Sequence, residues 1–323
     1  RLLLERAADG KANWELDIGD GASGSTAGVT VVLERLRVVA GEVRYLDAVA
    51  GIDETIGDIA ASLAAADLLR GPYRLDATAR ARGQPLGLVA SLGRLTDGRA
   101  LPLEVRLEGL GVRLVVRAEL ASPIGPGDIR ASLQADIADP ARTLASLGAS
   151  LGQSVPPGLE GPLTLAAEVR RSGATIRIEP LAIALGSTKA EGGAVLDLGP
   201  KPDIRVRLEA GEVALEPFLA AAGGAETGTA AAAPSLTLPE DLSLRLRLAI
   251  EALTWKGEAV RDAFLEATLA EGRVVIENFQ ARLPGDGRFA LTGQLEAPDG
   301  VPRFHGEISG EIRDTRTILG WLE

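Results

Sequence analysis

Cysteine is missing from all 323 residues, which excludes a disulfide framework and any thiolate-held metal. One histidine, His305, is too few for a typical zinc site and leaves only carboxylate-rich cation sites open. Methionine is missing too. With Arg1 in first place, the chain is expected to be a piece of a longer polypeptide whose signal or anchor lies outside it. No stretch reaches the roughly 18 uninterrupted apolar residues that a membrane span requires, so none is expected here. Basic surplus is lacking as well: the net charge is −11 and the pI about 4.9. Lys and Arg interleave with Glu and Asp along the chain instead of clustering, which argues against a nucleic-acid partner. Aromatics number only ten, three Trp, two Tyr and five Phe, so apolar surface built from this chain is smooth and aliphatic.

What the sequence does have is alternation. Leu242, Leu244, Leu246, Leu248 and Ile250 are interleaved with Ser243, Arg245, Arg247, Ala249 and Glu251. Leu103, Val105 and Leu107 alternate with Glu104, Arg106 and Glu108, and after Gly109–Gly111 come Val112, Leu114, Val116, Ala118 and Leu120. The same period marks Ile129 to Ile137, Leu163 to Val169 and Ile204 to Leu208. Strand side chains point to opposite faces with a period of two, so each run has one apolar face and one wet face. A parallel sheet buried on both faces would read as unbroken apolar runs, so the expected sheet is antiparallel with one solvated side. The fold class expected is mainly all-β: an extended, curved antiparallel sheet forming an apolar groove, with a few short helices capping its units. Residues 52–70 fit either a helix, by their alanines, or a strand, by the alternation of Ile59, Ala61, Leu63 and Ala65; strand is preferred.

Two composition breaks divide the chain. Residues 220–235, AAAGGAETGTAAAAPS, lose all periodicity and cannot bury enough surface to offset their ordering entropy, which reads as a linker. Residues 153–161, QSVPPGLEG, pair prolines with glycines. The expected organisation is therefore an N-terminal β segment at 1–152, a middle meander at 153–220, a linker at 221–235 and a C-terminal meander at 236–323. Each segment ends on an alternating strand followed by a short helical pattern: DPARTLASLG, LEPFLAAA and DTRTILGWLE. Asp139 is suited to N-cap the first, with Pro140 at the first helical position, and Asp314 to cap the last.

Catalytic chemistry is nearly absent from the sequence. His305 alternates with apolar residues and falls on a wet face. Gly19, Gly21 and Gly24 match G-x-G-x-x-G, but a strand at Val29–Leu33 follows where a dinucleotide site needs a helix, so a glycine-rich hairpin is the better reading. The acid pairs Asp53-Glu54 and Glu240-Asp241 border strands and read as solvated turns. No nucleophile elbow or phosphate loop occurs, and neither enzyme activity nor a cofactor is expected.

Gly10-Lys11-Ala12-Asn13-Trp14, the pair around VVLERLRVVAGEVRYLD, the RGPYRLDATARARGQPL segment, LEGPLTLAAEVR and the closing unit from SLRLRLAIEALTW to ILGWLE together resemble the AsmA-like family of bacterial envelope proteins. The resemblance runs over essentially the whole chain from Gly10 and carries no catalytic residues. It implies a periplasmic location in a Gram-negative-type envelope, in a parent anchored to the inner membrane. It also implies a long sheet whose inner face carries phospholipid toward the outer membrane, as in proteins similar to AsmA and TamB.

Two functional expectations follow. In the first, the chain is a non-enzymatic lipid carrier, its groove presented by Val105, Leu107, Leu114 and Val116, by Leu165, Val169 and Ile178, by Val206 and Leu208, by Leu244, Leu246 and Leu248, and by Leu291 and Leu295. Each methylene exposed to water costs about 0.8 kcal/mol, so an acyl chain of about fifteen carbons faces on the order of 12 kcal/mol without such shelter. In the second, the sheet folds over as an ordinary sandwich and the protein is a periplasmic scaffold for outer-membrane assembly, binding envelope proteins through a strand edge.

Overall fold

The computed structural model describes residues 1–14, 32–49, 51–68, 70–96, 99–121, 127–151, 161–215, 238–298, 301–314, 316–317 and 321. They form two compact units, Arg1–Val155 and Pro156–Glu323. The chain is nearly all β, as its alternation predicts.

The first unit contains β1 (Leu2–Arg6), β2 (Leu33–Asp47), β3 (Ile52–Ala65), β4 (Tyr73–Ala81), β5 (Gln84–Leu92), β6 (Leu101–Gly109), β7 (Val112–Leu120), β8 (Ile129–Ile137) and the helix α1 (Pro140–Leu151). From β2 to β8 every strand pairs antiparallel with the next. Only β1 breaks the pattern, lying parallel to the end of β2. The Gly10–Trp14 segment covers its other edge: the Asn13 side chain accepts from the Glu5 N–H and donates to the Leu3 carbonyl, both at 3.0 Å. Trp14 then packs on Tyr45, with ring centroids 5.8 Å apart.

The second unit contains β9 (Leu163–Ser172), β10 (Thr175–Leu185), β11 (Thr188–Asp197), β12 (Asp203–Ala214), β13 (Ser243–Trp255), β14 (Glu258–Ala270), β15 (Arg273–Leu283), a 3-10 turn (Pro284–Asp286), β16 (Gly287–Glu296) and β17 (Arg303–Glu311). Pairing is again sequential and antiparallel, except that β12 and β13 run parallel over eleven residue pairs. The middle and C-terminal segments thus belong to one continuous ladder. The linker at 221–235, the middle helical pattern LEPFLAAA after Leu215, and Gly19, Gly21 and Gly24 lie outside the described residues, as does most of the 153–161 break.

Tight turns hold this meander together. At Arg82-Gly83, Leu110-Gly111, Lys256-Gly257 and Glu271-Gly272 both central residues have positive φ, the type I′ geometry whose twist matches the flanking strands. Residues 52–65 are strand, and their bulges at β2 and β4 bend the longer strands of this region.

Residues that follow β8 and β17 pack back onto turns and strand ends of their own unit. Asp139 caps α1, its carboxylate accepting the Arg142 N–H at 2.8 Å, and the Thr143 hydroxyl donates to the Leu110 carbonyl in the β6–β7 turn. Helix α1 also touches β3, so it lies across the strand ends. In the second unit Asp314 accepts the N–H groups of Arg316 and Thr317 and the Thr317 hydroxyl. Trp321 meets Trp255 edge to face at 5.3 Å and donates its indole N–H to the Trp255 carbonyl.

Candidate functional site

The registers join single strands into rows. In the first unit Leu36, Leu63, Leu75, Ala90, Val105, Val116 and Leu133 are successive cross-strand partners from β2 to β8. A parallel row runs through Val38, Ala61, Ala77, Leu88, Leu107, Leu114 and Ala135. In the second unit Val169, Ile178, Ala194, Val206, Leu246, Ala267 and Ile276 lead to Gly293 and Gly306. Beside it Ala167, Leu181, Gly192, Leu208, Leu248, Leu265, Phe279, Leu291 and Ile308 cross all nine strands. Leu244 and Leu295 belong to a third row that ends at Phe304, and Leu165 to a fourth through Ile183. Four of the residues expected to present a groove thus share one face in the first unit, and the other ten share one in the second. Each apolar cross-strand pair stabilises the sheet by about 0.2–1 kcal/mol, which fixes the register.

Burial along these rows is nowhere complete, and their ends at Leu36, Val38, Phe304 and Ile308 are exposed. All fourteen residues are half-buried, and among the described residues no large side chain is fully buried. The buried apolar residues are Ala65, Leu101, Ala263 and Ala281. Ala65 ends β3, Leu101 begins β6, Ala281 lies near the end of β15, and Ala263 lies in the middle of β14. A sandwich buries the middle of its inner faces against a second layer. Here the small Ala263 is covered, but the large apolar side chains in the middle of each face are sheltered only by in-sheet neighbours and still meet solvent.

The opposite face is ionic. Arg117 and Arg106 both reach Glu104, at 3.4 and 2.7 Å, and Arg113 reaches Glu108 at 3.1 Å. His305 is exposed on the polar side of β17, opposite Gln294. Exposed pairs of this kind contribute little to stability individually.

One charged feature was not read from the sequence. Because β12 and β13 are parallel, Arg205 lies opposite Arg245 and Arg207 opposite Arg247. The signal was present as Arg-x-Arg in both IRVRLE and LRLRLA, but its meaning depends on a parallel register that alternation cannot reveal. Asp203 answers the repulsion by accepting from Arg205 and Arg245, both at 2.9 Å. The hydrogen bond from Arg205 holds its carboxyl below the ordinary aspartate value, aided by the charges of Arg205 and Arg245. Arg207 pairs with Glu209 at 3.0 Å and Arg247 with Glu266 at 2.7 Å. A cavity of about 810 Å³ opens over this array, and a second of about 540 Å³ opens beside Arg282 and Arg288.

Among the described residues no group of three or more acidic or histidine side chains could hold a metal ion, and no helix is long and apolar enough to cross a membrane. Comparisons with protein-family models, with curated proteins and with solved structures find no match for this chain.

Proposed function

We propose that this chain is a lipid-binding, lipid-transferring domain of an AsmA-like envelope protein, carrying phospholipid acyl chains along the apolar face of its sheet in the periplasm. The observation that carries this reading is the apolar face of each unit, along which all fourteen expected groove residues stay half-buried and no large side chain among the described residues is fully buried. A strand of nine residues spans about 30 Å, enough to shelter an acyl chain laid across or along it. Among the described residues the rows of this face carry no cluster of polar groups, which suits hydrocarbon bound with its head group left in water. Nothing in this role requires a catalytic residue or a cofactor.

Leu246→Asp and Leu107→Asp each place a charge in the middle of a row. Lipid retained by the purified protein, read by native mass spectrometry, is expected to fall at least severalfold while circular dichroism stays that of the parent. Full retention in both variants counts against the proposal.

A second reading rests on β17. All nine of its residues are exposed, with Phe304 at 39% and Ile308 at 63%, and no described residue of its unit pairs with its outer edge. Such an edge offers backbone hydrogen bonds and alternate side chains to an added strand, as the scaffold role requires. Crosslinks from β17 that capture protein while the apolar rows capture no lipid favour this reading.

A further inference from the structure

The cavity over the β12–β13 junction is built by three features of the second unit. The parallel register gathers four guanidinium groups into a two-by-two array on the charged face. On β11, Gly193 stands opposite Arg207 and leaves the adjoining wall without a side chain. On β10, the register shift between Ile178 and Leu181 sets Glu179 and Pro180 against the same wall. The resulting space, about 810 Å³, is the size of a small-molecule site.

Its charge pattern selects the ligand. Each guanidinium has five N–H donors. Asp203, Glu209 and Glu266 each meet these arginines through one nitrogen apiece, so every guanidinium has further N–H groups to offer a ligand, that of Arg247 while lying over the Phe264 ring. Carboxylates flank that centre: Glu191 beside Glu209 on one side, Glu266 and Glu277 on the other. A simple anion would gain the arginines and be repelled by these flanks. A simple cation would meet the reverse.

We propose that this cavity binds an amine-bearing phosphate ester, its phosphate on Arg205, Arg207, Arg245 and Arg247 and its ammonium against Glu191 and Glu209. Guanidinium groups pair with phosphate oxygens through short, charge-assisted hydrogen bonds, which sets the orientation. The site lies on the face opposite the apolar rows and does not depend on their role.

Isothermal titration with O-phosphoethanolamine tests the site, against ethyl phosphate and ethanolamine as half-ligands. Saturable binding is expected, at least tenfold tighter than for either half-ligand. The Arg207→Gln/Arg247→Gln double variant is expected to abolish it. Glu191→Gln/Glu209→Gln is expected to remove the preference over ethyl phosphate while keeping phosphate affinity, which covers the case in which the arginine variant fails to fold. Leu107→Asp is expected to leave binding unchanged, so failure of this site and failure of the lipid reading are separable. Phosphatidylethanolamine vesicles that displace the probe identify a lipid head group as the source, and vesicles that leave it in place identify a free solute. No binding, equal affinity for all three compounds, or full affinity in the arginine double variant overturns the proposal.

Discussion

Single side chains decide how smooth the apolar face is. Gly293 and Gly306 are direct partners across β16 and β17, and the Phe304 ring lies over both. A β-carbon at Gly306 would meet the Thr292 carbonyl oxygen and the Phe304 ring far inside contact distance. Gly306→Val is therefore expected to destabilise the second unit by about 1–3 kcal/mol, the range for overpacking, and to speed hydrogen exchange in β17. An unchanged urea midpoint with unchanged exchange would mean that the Thr292 backbone and the Phe304 ring both give way freely. At this scale the sequence was readily legible: alternation alone put Leu107, Leu114, Leu246 and Leu248 each on the apolar side of its own strand, because a period of two allows no other arrangement in a strand. It also placed His305 on the wet side and both capping aspartates. It did not show Phe304 over its glycines, since that depends on which residue stands opposite across the sheet.

Turns and junctions govern the elements. Leu110 has φ +55 at the first position of the β6–β7 turn, a left-handed conformation that disfavours a branched side chain. Leu110→Asn keeps the carbonyl that accepts from Thr143 and is expected to stabilise by about 0.5–1 kcal/mol, since Asn tolerates that backbone. A fall in thermal midpoint would show that the leucine side chain matters more than its strain. At the β12–β13 junction, Asp203 stabilises through its ionised form. Its folded pKa lies below its unfolded value, so the contribution is present above about pH 4 and is lost as pH falls through the folded value. Asp203→Asn is expected to lower the urea midpoint at pH 7, by a gap that narrows as the pH falls below about 4. A gap that stays the same size across that range would assign the effect to packing. The parallel pairings at β1–β2 and β12–β13 are what the sequence concealed: alternation reads the same in either direction, and the partner of β12 lies beyond residues 216–237.

For the whole molecule, the issue is what meets the apolar faces. Large side chains that are half-buried along a row of seven to nine strands leave considerable hydrocarbon in water unless a guest covers it. A photo-crosslinking residue placed at Leu114 reports on the apolar face, and one at its neighbour Arg113 on the ionic face of the same strand. With protein isolated from membrane-containing cells, the lipid account predicts lipid adducts from position 114 and essentially none from position 113. Equal lipid capture from both positions, or none from position 114, would contradict it.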